Sequence, residues 1–173
     1  KEIRILLVED YPTNQQVVMR HLSSAGYQVD LARDGSQAVK AYERKKYNLI
    51  FMDIQMPIMD GYAATQEIRE IETRNLEQST INNRQSTIQR VPIIAMTAHA
   101  IKGYREKCLK AGMDDYIAKP LRRKELLTIV EKWTRRIDDC IAPQGNQESE
   151  APMEYERALE EFEGDEDFLM EVL

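Results

Sequence analysis

Two cysteines, Cys108 and Cys140, in 173 residues are too few for a disulfide framework or a four-ligand zinc site, so a reducing, cytoplasmic setting is expected. Long apolar runs are missing as well. The longest, such as Ile5–Val8 and Leu49–Met52, fall far short of the roughly 20 residues that cross a bilayer, which leaves no transmembrane candidate. The chain opens Lys1-Glu2-Ile3 with neither an initiator Met nor a signal peptide, and reads as a segment of a longer protein. What is present is ordinary for a folded domain. Hydrophobic residues make up 42% and charged residues 31%, a balance that excludes wholesale disorder.

The net charge of -6 hides an asymmetry. Residues 1–137 carry 23 Lys/Arg against 17 Asp/Glu, a net +6, whereas residues 138–173 carry one Arg against 13 acids, a net -12. A boundary is therefore expected near Ile137. The densest basic cluster, Arg122-Arg123-Lys124, reads as a solvated helix face rather than a nucleic-acid contact.

Before that boundary, short branched apolar runs alternate with helical stripes. Ile3–Val8, Tyr27–Ala32, Leu49–Met52, Val91–Met96 and Tyr116–Ala118 read as strands. Helices are expected from about Thr13, over Gln37–Lys46, Tyr62–Glu72 and Lys102–Ala111, and over Arg122–Arg136, with Asp34-Gly35 as a turn. The strands are apolar throughout rather than alternating, as when helices cover both faces of a sheet. The expectation is an α/β fold, a doubly wound parallel sheet of five strands with right-handed crossovers.

Polar residues sit at the carboxyl ends of those strands: Glu9-Asp10, Asp53, Thr97 and Lys119. Open α/β sheets bind ligands at that rim. Three carboxylates brought together repel one another, and a hard divalent cation resolves the repulsion. Mg²⁺ suits the group because it accepts a few carboxylates and keeps waters or phosphate oxygens as its other ligands; Mn²⁺ is the second candidate. A lysine and a hydroxyl at the same rim add donors for a phosphoryl group. The set points to phosphoryl transfer onto a carboxylate nucleophile.

At this point the residues resemble the receiver domain of two-component response regulators. The likeness rests on four blocks over about residues 3–137: Ile5-Leu6-Leu7-Val8-Glu9-Asp10, Met52-Asp53-Ile54-Gln55-Met56-Pro57-Ile58-Met59-Asp60-Gly61, Pro92-Ile93-Ile94-Ala95-Met96-Thr97-Ala98 and Asp115-Tyr116-Ile117-Ala118-Lys119-Pro120. The wording around Asn14-Gln15 and Met113-Asp114-Asp115-Tyr116 is most similar to receivers inside hybrid sensor histidine kinases. The resemblance implies a flavodoxin-like strand order 2-1-3-4-5, with Asp53 as phosphoacceptor from a phosphohistidine. Asp10, Asp53 and, partly through water, Glu9 would bind Mg²⁺, with the backbone carbonyl of Gln55. Lys119 and Thr97 would hold phosphoryl oxygens, and Thr97 with Tyr116 would form a conformational switch read on the face of the fourth and fifth helices. Gln55 and His99 would tune the lifetime of the phosphorylated state by slow autodephosphorylation, and Lys119-Pro120 would be a cis peptide. The implied partners are a histidine kinase core, a histidine phosphotransfer domain, or both, with neither nucleic acid nor membrane contacted. The chain then reads as a self-phosphorylating acceptor rather than a kinase, since it holds no ATP-binding segment, while the parent would be a hybrid kinase.

Blander readings stand beside these. Thr97 could cap a helix, Tyr116 could be plain core, Asp60 before Gly61 reads as a helix cap, and Cys108 as a helix residue of moderate burial. Two rival functions are an interaction module that works without phosphorylation and an aspartate-nucleophile phosphatase; the latter characteristically carries a second aspartate two residues after the nucleophile, where this chain has Gln55. Residues 73–90 form a polar connection longer than the family's, which could extend the third helix, form a loop, or both. It belongs at the end of the sheet away from the acids.

Residues 138–152, with Pro143, Gly145 and Pro152, read as a linker. In 153–173, Tyr155, Leu159 and Phe162 recur at helical spacing among acids. Such a short amphipathic segment cannot bury a core by itself. It resembles either the opening helices of a histidine phosphotransfer domain or an acidic helical tail.

Overall fold

A computed structural model of the protein describes residues 2–81, 90–98 and 102–139. They form β1 (Arg4–Val8), α1 (Pro12–Ser23), β2 (Gln28–Ala32), α2 (Gly35–Arg44), β3 (Leu49–Asp53), α3 (Gly61–Ile81), β4 (Ile93–Thr97), α4 (Lys102–Lys110), β5 (Asp115–Ala118) and α5 (Arg123–Asp139). All strand pairs are parallel, in the order β2-β1-β3-β4-β5. This is the expected doubly wound sheet.

Alternation along each strand sends side chains to opposite faces. Leu6, Val8, Ile50, Met52, Ile93 and Ala95 pack under α2, α3 and α4, together with Ala38, Ile68 and Cys108. Ile5, Leu7, Leu49, Phe51, Ile94 and Met96 pack under α1 and α5, together with Val18, Leu22, Leu126 and Val130. Both faces of β1, β3 and β4 are thus buried, which is why those strands are uninterrupted apolar runs. Cys108 is only 2% exposed, more deeply placed than expected. Among the described residues no helix is long and apolar enough to cross a membrane.

Several boundaries differ from the sequence reading: β4 begins at Ile93 rather than Val91 and α2 ends at Arg44 rather than Lys46, and three further differences have a physical reason. Asp34 does not close a turn. Its carboxylate accepts the Gln37 N–H at 2.9 Å and caps α2, which begins two residues earlier than expected. The helix α3 does not stop at Glu72 but runs through the polar connection to Ile81. The segment Thr73–Ile81 contains neither Gly nor Pro, so nothing in it forces a stop, and its Leu, Arg, Glu and Gln are good helix formers. At 21 residues the helix is about 31 Å long, roughly twice the length of a five-residue strand. It therefore overshoots the sheet at the end opposite the acids. Finally, α5 reaches Asp139, two residues into the span expected to be linker. The remainder of that span and the segment 153–173 lie outside the described residues.

Candidate functional site

The rim is built by strands that stop where their polar residues begin. β1 delivers Glu9 and Asp10, β3 ends on Asp53, β4 ends on Thr97, and Lys119 follows β5. Register makes them converge: Val8 pairs with Met52, Asp53 with Met96, and Thr97 with Ala118. Glu9, Asp10, Asp53, Gln55, Thr97 and Lys119 all line one cleft of about 240 Å³. Sequence positions up to 110 residues apart thus meet within one small volume.

Burial makes the charges here consequential. Glu9 is fully buried, Asp53 is 6% exposed and Thr97 is buried. Lys119 Nζ lies 2.6 Å from Asp53 Oδ2 and 2.8 Å from Glu9 Oε2. The first is a hydrogen bond. The second is an ion pair without a hydrogen bond. Glu9 Oε1 is held instead by the Tyr11 N–H at 3.1 Å and the Asn14 amide at 3.2 Å. The Gln55 N–H approaches Asp53 Oδ1 at 3.4 Å.

Burial pushes the Asp53 carboxyl above its ordinary range and the Glu9 charge adds to this, while Lys119 opposes both. Burial alone would lower the Lys119 ammonium, but its hydrogen bond to Asp53 and the negative charges of Asp53 and Glu9 outweigh that and hold it above its ordinary value. One ammonium faces three carboxylates. Glu9, Asp10 and Asp53 each offer an oxygen within 4.8 Å of the others. An all-oxygen, net-negative cluster of this size fits a hard divalent cation.

Two glycine-dependent contacts shape the loop after β3. A Cβ on Gly61 would lie 2.1 Å from the carbonyl oxygen of Asp53, and one on Gly35 would lie 2.7 Å from that of Met59. Only glycine lets the start of α3 press against the backbone of Asp53. The loop also contains a γ-turn, closed by Met59 N–H to Pro57 O at 2.8 Å. Its central residue, Ile58, has φ 69° and is 87% exposed, a strained conformation for a β-branched side chain. Asp60 Oδ1 accepts the Ala63 N–H at 2.8 Å, the helix cap that was expected.

The remaining expected residues divide. Lys119-Pro120 is cis, and the Lys119 N–H donates to the Thr97 carbonyl at 2.7 Å. Tyr116 does not line the cleft; it is half-buried against the core under α2, α3 and α4. His99 lies outside the described residues. Sequence reasoning left Asn14 and Gln15 without a structural task, although both reach the acidic turn. Besides their part in the resemblance, the signal they carried was position, in the first turns of the helix that follows Glu9-Asp10.

Comparison with known proteins agrees with this architecture. The family model for the response regulator receiver domain matches residues 5–131. Hybrid signal transduction histidine kinase I of Dictyostelium discoideum is 39% identical over 132 residues, which are 73% of this chain and 7% of that protein. The chain thus spans only a small part of such a relative. The receiver domain of a sensor histidine kinase from Pseudomonas aeruginosa, solved with a magnesium ion coordinated in its active site cleft, is 47% identical. The match has a TM-score of 0.64 and covers 78% of this chain and 99% of that one. A Saccharomyces cerevisiae receiver domain, crystallised with the histidine phosphotransfer protein upstream of it, is 30% identical. Its TM-score is 0.71, with 79% and 91% of the two chains covered. The chain belongs to the response regulator receiver domain family of two-component phosphorelay signalling.

Proposed function

We propose that this chain is the Mg²⁺-dependent phosphoacceptor of a hybrid sensor histidine kinase, and that it takes a phosphoryl group from a phosphohistidine onto Asp53. The observation that carries the reading is the Asp53 carboxylate at the end of β3, 2.6 Å from Lys119 Nζ and within one oxygen cluster with Glu9 and Asp10. Asp10, Asp53 and the Gln55 carbonyl would hold the cation, with Glu9 acting partly through water. When bound, the cation neutralises charge on the phosphoryl oxygens.

In the transfer, an Asp53 carboxylate oxygen attacks phosphorus and the phosphorus–nitrogen bond of the donor breaks. The imidazole leaves with the bonding pair and takes up a proton from solvent. The product is a mixed anhydride on Asp53. Lys119 moves from the carboxylate to a phosphoryl oxygen and Thr97 donates to another. Thr97 and Tyr116 then act as a two-state element biased by the new charge. Gln55 and His99 tune the hydrolysis of the anhydride. The partner is a histidine kinase core or a histidine phosphotransfer domain, and the setting is cytoplasmic. We assign the chain through the end of α5 at Asp139 to the receiver, the remainder of 138–152 to a linker and 153–173 to an acidic helical segment.

The test is intact mass after incubation with Mg²⁺ and acetyl phosphate. One Mg²⁺-dependent phosphoryl adduct, absent from Asp53→Asn, is expected. An adduct that persists in Asp53→Asn overturns the assignment, and failure to bind beryllofluoride in the presence of Mg²⁺ overturns the phosphoacceptor reading as a whole.

A further inference from the structure

The Asp10 carboxylate has no hydrogen bond or ion pair among the described residues. Glu9 and Asp53 are restrained through their own oxygens, but Asp10 can be aimed only through its backbone. That backbone lies where β1 gives way to α1.

Gln15 restrains that backbone. It is 7% exposed, and its Nε2 donates to the Glu9 carbonyl at 2.7 Å and to the Asp10 carbonyl at 3.2 Å. Those two carbonyls belong to the peptide planes on either side of the Asp10 Cα. Pinning both planes sets the backbone dihedrals of Asp10, and with them the direction of its Cβ. We propose that Gln15 is a positioning residue for the divalent cation, holding Asp10 in ligand geometry by bridging the carbonyls of Glu9 and Asp10. The inference rests on the Mg²⁺ site proposed above. Residues that orient metal ligands without touching the metal typically change its affinity about 10- to 100-fold when lost.

The measurement is a calorimetric Mg²⁺ titration of the full chain, well below its unfolding temperature. It compares wild type, Gln15→Met, Gln15→Asn and Tyr42→Phe. Methionine keeps the length of the side chain and loses the donor. Asparagine keeps the donor but is one methylene too short to bridge. Tyr42→Phe removes the hydrogen bond to Glu72, 3.1 Å long and outside the cleft, and controls for general destabilisation. Expected are a Kd raised about 10- to 100-fold in Gln15→Met, a smaller rise in Gln15→Asn, and no change in Tyr42→Phe. The acetyl phosphate reaction of Gln15→Met should shift to higher half-saturating Mg²⁺ while its rate at saturation is retained, a pattern that mere loss of stability does not produce. If Gln15→Met does not fold, Gln15→Asn decides. Affinities equal to wild type in the folded Gln15 variants overturn the inference, and a wild type that binds no Mg²⁺ overturns the proposed function and the inference with it.

Discussion

The two ends of the sheet both bury charge, and they do so in opposite ways. At the carboxyl rim, Glu9 and Asp53 share the Lys119 ammonium, and the third acid, Asp10, has no ion pair among the described residues. At the far end, two acids meet two guanidinium groups. Arg69 bonds Glu72 at 2.8 Å, Asp114 at 2.7 Å, and the carbonyls of Gly112 and Val91 at 3.0 and 2.9 Å. Arg90 pairs with Asp114 at 2.5 Å and reaches the Gly112 carbonyl. The acids also accept from elsewhere: Glu72 takes the Val91 N–H and the Tyr42 hydroxyl, at 2.8 and 3.1 Å, and Asp114 takes the Ile93 N–H at 2.8 Å. That network ties α3 and the residues just before β4 to Gly112 and Asp114, which follow α4. It is neutral and saturated, whereas the rim carries excess negative charge. Saturation is how buried charge serves stability, and an unbalanced cluster is what a site for a cation and a phosphoryl group requires.

Breaking each region in turn tests the contrast. Asp53→Asn should abolish the phosphoryl adduct completely, as read by intact mass, and leave the protein folded. Arg69→Met should leave Glu72 and Asp114 buried without their shared partner and cost about 3–5 kcal/mol in urea denaturation. Its Mg²⁺ affinity, measured on the folded protein, should not change. Gly61→Ala forces a methyl group against the Asp53 carbonyl, so it should cost about 1–3 kcal/mol or more and also slow phosphorylation by displacing the acceptor. At the rim the sign reverses. Asp10→Asn removes an unpaired like charge and should stabilise the Mg²⁺-free protein by about 0.5–2 kcal/mol while weakening Mg²⁺ binding. A single variant that was both less stable without Mg²⁺ and unchanged in affinity would erase the distinction between the ends.

The smallest effect concerns pH. Burial pushes the Asp115 carboxyl up, but the Lys132 ammonium, the Tyr116 N–H and the Trp133 indole more than reverse this and hold it below the ordinary carboxylate range. Its stabilisation is therefore present above the unfolded value, about pH 4, and is lost as pH falls through the lower folded value. Asp53, raised in the folded state, runs the other way: its charged form costs stability, and acid relieves that cost. Asp115→Asn should flatten the acid limb of a urea-midpoint profile between about pH 3 and pH 5, and Asp53→Asn should steepen it.

Much of this was legible in the residues. Runs such as Leu49–Met52 announce a strand buried on both faces, because unbroken apolar continuity over four residues, rich in branched and aromatic side chains and bounded by polar ones, has few other uses. The acids, Thr97 and Lys119 could be assigned to one rim because each ends or follows such a run. The extension of α3 was left open between helix and loop, since its Asn, Gln, Ser and Thr are loop-like in composition and only the absence of Gly and Pro spoke for a helix. The far network escaped entirely. Arg69, Glu72, Arg90 and Asp114 look like ordinary surface charges in sequence, and nothing local says that a buried backbone awaits them.

By itself, the sequence determined the order of elements, the parallel sheet and the identity of the acidic rim. These follow from patterns within a few residues, where strand and helix periods differ. Only the tertiary structure decided which polar groups satisfy one another. That Gln15 bridges the two carbonyls flanking Asp10, and that Arg69 closes a neutral network while Lys119 is outnumbered three to one, depends on side chains converging from separate elements. Burial then sets the strength of each contact, because charges and amides withdrawn from water must find their partners within the fold.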